Sequence, residues 1–125
     1  QVDDAAGKTE ASTVLEKEDT VAIYGSNEFA AKAIINANGG FKESKLGADK
    51  ILAVGFDSGA LQQDAIRKGI FVGSVTQDPV QIGYQAVKLA VAAAKGETVK
   101  DVDTGSKWYD AKNIDSDEIK ALLYE

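Results

Sequence analysis

Ile51-Leu52-Ala53-Val54-Gly55-Phe56-Asp57 is the stretch that decides the fold. From Ile51 to Phe56 it is apolar without a polar alternation, which predicts a strand covered on both faces, as in a parallel sheet. Asp57 ends the run. Two more runs of this kind flank it. Thr20 to Tyr24 stops at Gly25-Ser26-Asn27, and Ile70 to Val75 stops at Thr76-Gln77-Asp78-Pro79.

Helical patterns lie between them. Phe29, Ala30, Ala33, Ile34 and Ala37 form one apolar stripe, closed by Asn38-Gly39-Gly40, and Leu61, Ala65 and Ile66 form another, closed by Gly69. A terminal glycine suits the left-handed position after a helix because it has no Cβ to clash. The clearest helix is Pro79 to Lys95, where Val80, Tyr84, Val87, Val91 and Ala94 fall at alternating spacings of four and three. That spacing lines one helical face. Asp78 is its expected N-cap, Pro79 takes the favoured first position and Gly96 closes it. Gly83, Ala86 and Ala90 lie beside the stripe and leave room for a close neighbour. Asp4 to Lys17 also reads as a helix, with Ala6, Ala11, Val14 and Leu15 on one side. Ser106 to Tyr109 is expected as a short edge strand, and Asp115 to Tyr124 as a last helix carrying Ile119, Leu122 and Leu123.

Strands alternating with helices imply an α/β fold with a parallel sheet flanked by helices. Ligands of such sheets bind outside the carboxyl ends of the strands. Asn27, Asp57 and Gln77 all stand just past those ends. Each also has a plainer role: Asn27 as a helix cap, Asp57 or Ser58 as the cap of a helix starting near Gly59 or Ala60, Gln77 as a linker, Phe56 as a core residue. Together they suit a sugar. A carboxylate accepts from two adjacent hydroxyls through charge-assisted bonds, the amides both donate and accept, and Phe56 can cover a C–H face if its ring turns outward.

Composition removes other chemistries. The chain has 125 residues, a net charge of −6, and no Cys, His or Met. Thiol nucleophiles, disulfides, Ser-His-Asp triads and His- or Cys-based metal sites are excluded. The negative charge argues against a nucleic-acid surface, and Lys95, Lys100, Lys107 and Lys112 are scattered among acids. No phosphate-binding glycine loop is present, so an enzyme is not expected, and neither cofactor nor metal is called for. A start without Met is expected of a processed chain or a fragment.

Tyr24-Gly25-Ser26-Asn27-Glu28, Val54-Gly55-Phe56-Asp57 and Val75-Thr76-Gln77-Asp78-Pro79 together resemble the ribose-type sugar-binding proteins of bacterial ABC transporters, which share the type I periplasmic-binding-protein fold. The likeness continues through Gly69 to Val75, Gln81-Ile82-Gly83, Asp103-Thr104-Gly105 and Lys112 to Asp115. It implies sugar contacts by Asn27, Phe56, Asp57 and Gln77, in a cleft between two α/β lobes that closes about a hinge. Members of that family are longer. The resemblance therefore implies the C-terminal portion only: 1–77 within the second lobe, 78–96 a hinge and a helix packing on a first lobe, and 97–125 a return segment. It further implies a monosaccharide ligand, a membrane permease as partner, and an extracytoplasmic location, in the periplasm or, as a lipoprotein, on the outer face of the membrane. The Val80/Tyr84/Val87/Val91 face is expected to meet that first lobe or another copy.

Two rivals share parts of this pattern. The effector core of a LacI-type regulator has the same fold and similar strand tips. A phosphoacceptor receiver domain would use Asp57 as acceptor, Asp3 and Asp4 as magnesium ligands and Thr76 as switch.

Overall fold

Residues 4–42 and 44–124 are described by the structure, a computed structural model. Along the chain run α1 (Asp4–Leu15), β1 (Ala22–Tyr24), α2 (Glu28–Ala37), β2 (Leu52–Phe56), α3 (Ala60–Arg67), β3 (Gly73–Gln77), α4 (Pro79–Ala94), β4 (Ser106–Tyr109) and α5 (Asp117–Lys120). The strands form one sheet in the order β1-β2-β3-β4. The first three are parallel, with Tyr24 opposite Val54 and Phe56 opposite Val75; β4 runs antiparallel, with Gln77 opposite Ser106.

Alternation gives the sheet two unlike faces. Ala53, Gly55, Ser74, Thr76 and Tyr109 turn to a buried side, beneath a core that includes Ile34, Ile35, Ile66, Phe71, Ile114 and Ile119. On the opposite side Tyr24, Leu52 and Trp108 are exposed, and Val54, Phe56 and Val75 are half-buried. The sheet is flanked by helices as expected, but among the described residues its second face is only partly covered. An apolar run reports that both faces avoid water, not which part of a protein shields each.

Several boundaries differ from expectation for local reasons. The run beginning at Ile70 enters the sheet late, because Ile70 and Phe71 both donate their N–H groups to Ala65 O, at 2.8 and 3.2 Å. With Gly69 N bonded to Ile66 O and Gly69 at φ +70°, this is a Schellman closure of α3. Ile70 and Phe71 become core plugs, and the strand gains Thr76 and Gln77 by pairing with β4. Thr20 is held out of β1 by its hydroxyl, which donates to Val14 O at 2.8 Å. Ala11 and Leu15 of α1 are buried as expected, but in its first two turns Gly7 is buried and Ala6 exposed; a Cβ at Gly7 would lie 2.8 Å from the Phe29 ring. The last helix is only Asp117–Lys120, because residues after it turn back toward the strand tips.

The N-cap and first-turn readings of α4 hold: Asp78 Oδ1 accepts from Gln81 N at 2.8 Å, and Pro79 follows. No residue of α4 is buried, and Val80 and Val87 are 69% and 67% exposed. Its apolar stripe is formed but unpartnered among the described residues.

Candidate functional site

Parallel pairing brings the carboxyl ends of β1, β2 and β3 to one edge of the sheet, and with them Asn27, Asp57 and Gln77. Asn27 is the N-cap of α2; its Oδ1 accepts from Ala30 N at 2.8 Å. Asp57 does not cap the helix that follows it, nor does Ser58. The N-cap of α3 is Gly59, without a side-chain bond. Instead the Asp57 carboxylate reaches across to α2, where Oδ2 accepts from Glu28 N at 3.0 Å. Two of the orphan donors at that helix start are thereby satisfied, Ala30 N by a neutral amide and Glu28 N by a carboxylate at the helix end that favours negative charge.

The pair keeps capacity in reserve. Among the described residues, Asp57 Oδ1 receives no hydrogen bond and Asn27 Nδ2 donates none. Each side chain thus spends one atom on α2 and keeps another uncommitted among the described residues. Capping by one atom does not use up the group, because carboxylate and amide each carry more than one polar atom.

Phe56 and Gln77 are less closely drawn in. Phe56 is half-buried on the uncovered face of the sheet, beside its partner Val75. Gln77 ends β3 on the same edge with an exposed side chain, and no hydrogen bond joins it to Asn27 or Asp57. Near it, Asp78, Thr104, Gly105, Ser106, Lys107 and Leu122 bound a hollow of about 330 Å³.

Behind the edge lies a polar layer that sequence reasoning did not identify. Asp57 has φ +76°, the left-handed region, which costs an L-residue roughly 1–2 kcal/mol, though Asp is among the types found there. Its carbonyl accepts from Tyr109 OH at 2.7 Å, from Ser74 Oγ at 2.9 Å and, more weakly, from Gln62 Nε2 at 3.4 Å. Gln62 Nε2 also donates to Phe56 O at 2.7 Å, while its own buried Oε1 accepts nothing among the described residues. Gly55 makes room for this group: a Cβ there would stand 2.9 Å from Gln62 Nε2 and 3.0 Å from Ser74 Oγ. A second set ties down the chain end. Ser58 Oγ donates to Leu122 O at 3.2 Å, Gln63 Nε2 to Tyr124 O at 2.9 Å, and Tyr124 OH to Glu28 Oε2 at 3.2 Å. The available signal was polar residues interrupting apolar core patterns, Gln62 between Leu61 and Ala65 and Ser74 within its strand.

Burial pushes the Tyr109 hydroxyl up to about 12, against a smaller downward pull from Ser74; the charges of Tyr124 and Asp57 add to the rise. It remains a donor across the neutral range. Tyr124 is raised as well, first by burial and then by Asp57 and Glu28, with Ser58 opposing.

A family model described as a periplasmic binding protein domain matches residues 1–98, most of the chain. The chain belongs to the periplasmic binding protein family. No curated protein matches it. A solved structure described as an ABC transporter, LacI family transcriptional regulator from Brachyspira murdochii is 45% identical over 98% of this chain, with a TM-score of 0.83. An ABC transporter solute-binding protein from Agrobacterium vitis, with bound D-fucose, is 28% identical over 97% of the chain at TM-score 0.83. A carbohydrate transporter solute-binding protein from Agrobacterium radiobacter, in complex with D-arabinose, is 29% identical over 97%, at 0.82. This periplasmic binding protein chain spans about 40% of their lengths, respectively 41%, 41% and 40%. The family is one of binding domains, and its transporter members named here hold sugars.

The receiver reading finds no support. Its Asp3 lies outside the described residues, Thr76 is fully buried with its hydroxyl on Ser58 Oγ at 2.9 Å, and the strand order is sequential. Receiver domains have the order 2-1-3-4-5.

Proposed function

We propose that this chain forms one wall of the sugar site in the solute-binding component of an ABC-type importer, and that its ligand is a ribose-like monosaccharide. Asp57 accepts from vicinal hydroxyls through Oδ1, Asn27 donates through Nδ2, Gln77 contacts the sugar from the tip of β3, and Phe56 faces its C–H surface. The observation that carries this reading is the convergence of Asn27 and Asp57 on α2, each with one polar atom uncommitted. The D-fucose and D-arabinose complexes of related solute-binding proteins support the substrate class.

On this reading residues 1–77 belong to the second lobe, 78–96 cross a hinge into α4, and 97–125 return. The exposed stripe Val80, Tyr84, Val87 and Val91 then packs on a first lobe, or on a second copy when the chain is isolated. Sugar bridges both lobes and stabilises the closed state by its differential contacts. That closed form docks on a membrane permease, which places the protein outside the cytoplasm.

A second reading keeps the sugar and changes the outcome. The 45% identical neighbour is described with both transporter and LacI-regulator terms, so an effector domain of a regulator is the alternative. A thermal-shift panel of pentoses and hexoses on the full-length protein is the test. At a hundredfold excess over Kd a ligand adds about 2.7 kcal/mol, enough to raise a melting temperature by several degrees. A saturable shift with one sugar supports the proposed site; a flat panel overturns it. Sugar-dependent release from operator DNA by that protein would decide for the regulator.

A further inference from the structure

We infer that Tyr109, with Ser74 and Gln62, is a positioning clamp: it holds the Asp57 carbonyl so that the left-handed backbone aims the carboxylate at the site. The inference rests on the sugar-binding reading of Asp57 and assigns its support to the antiparallel edge strand β4.

Three donors from three different elements meet on one peptide oxygen. A carbonyl has two lone pairs, so Tyr109 and Ser74 fill it and Gln62 sits as a longer third. All three side chains are fully buried. The residue so held is the one non-glycine residue at positive φ among those described. Continuing β2 in extended form would carry the Asp57 side chain to the buried face, since successive side chains alternate. The left-handed turn sends it to the start of α2 instead, where Oδ2 meets Glu28 N and Oδ1 stays open. Gly55 is what lets Gln62 and Ser74 come this near. Tyr109 touches no ligand on this reading. It acts through Asp57.

Tyr109→Phe keeps the ring in its seat and removes only the hydroxyl. The first arm titrates the full-length protein with D-ribose, D-arabinose, D-fucose and D-tagatose. Tyr109→Phe is expected to weaken the best of these about tenfold. In an Asp57→Ala background the same change should cost almost nothing, because the group it positions is gone. An equal loss in both backgrounds would overturn the clamp and leave Tyr109 a packing residue. If Asp57→Ala binds sugar like the wild type, the site reading falls separately.

The second arm needs no ligand. Glycine adopts positive φ without strain, so a backbone that no longer needs holding should not miss the clamp. Tyr109→Phe should lower the melting temperature clearly in the wild type, and by less than half as much beside Asp57→Gly. Equal drops would sink the inference even if sugar binds, and unequal drops support it even if none of the four sugars binds.

Discussion

At the scale of the residue, Asp57 does two jobs with one carboxylate. Oδ2 caps α2 through Glu28 N, and on the proposed reading Oδ1 takes the ligand. Asp57→Ala should therefore cost ~2–3 kcal/mol of sugar affinity by calorimetry, the worth of a hydrogen bond to a charged group. It should also cost about 1 kcal/mol of stability from the lost cap, visible in a urea melt. Tyr109 gives a pH-dependent signature. Its ordinary value near 10 applies to the unfolded chain and about 12 to the folded one. Between those values the unfolded chain has lost a proton that the folded chain keeps. Stability is therefore intact below pH 10 and falls as pH rises from about 10 to about 12. Comparing urea melts near pH 9 and pH 11, Tyr109→Phe should remove part of that decline. Asp57 was legible as a strand-tip acid. Its cap partner was not, because Glu28 lies 29 residues away along the chain.

At the scale of the element, helix α2 is set by Gly25. A Cβ at Gly25 would lie 2.6 Å from Ala31 N and 2.8 Å from Ala31 Cα, both backbone atoms that move only with the helix. Gly25→Ala should cost about 1–3 kcal/mol of stability by overpacking, and should weaken sugar binding by displacing Asn27 and Glu28 N. Helix α4 behaves oppositely. Its boundaries were readable from Asp78, Pro79 and Gly96, since caps act within a few residues. Because no described residue covers its stripe, Val87→Asp should change the stability of the 125-residue chain, measured at a dilution where it is monomeric, by under about 0.5 kcal/mol. In a two-lobed protein the same substitution should cost over about 2 kcal/mol by burying an unpaired charge. Similar melts in the two settings would refute the proposed lobe contact.

At the scale of the whole molecule, the α4 stripe and the sheet face bearing Tyr24, Leu52 and Trp108 are apolar surfaces left exposed among the described residues. Exposed apolar patches of this kind mark contact surfaces. The isolated 125-residue chain is expected to self-associate and to bind an apolar dye, with light scattering giving a mass above that of the monomer. A clean monomer with no dye signal would argue against it. In the full-length protein, bound sugar should reduce the radius of gyration as the lobes close, which small-angle scattering can follow.

The sequence by itself determined the alternation of strand and helix, the capped ends of α2 and α4, and the candidate residues at the strand tips. These depend on periodicity, on caps and on glycines, all local in the chain. It did not determine where β3 starts, because Ile70 and Phe71 are as apolar in a core plug as in a strand. Nor did it determine what holds Asp57. The donors to its carbonyl come from α3, β3 and β4, up to 52 residues distant, and meet only when the sheet has formed. Apolar burial needs only the right kind of residue on the right face, whereas a hydrogen bond needs two particular atoms within about 3 Å. Only the tertiary structure brings such atoms together.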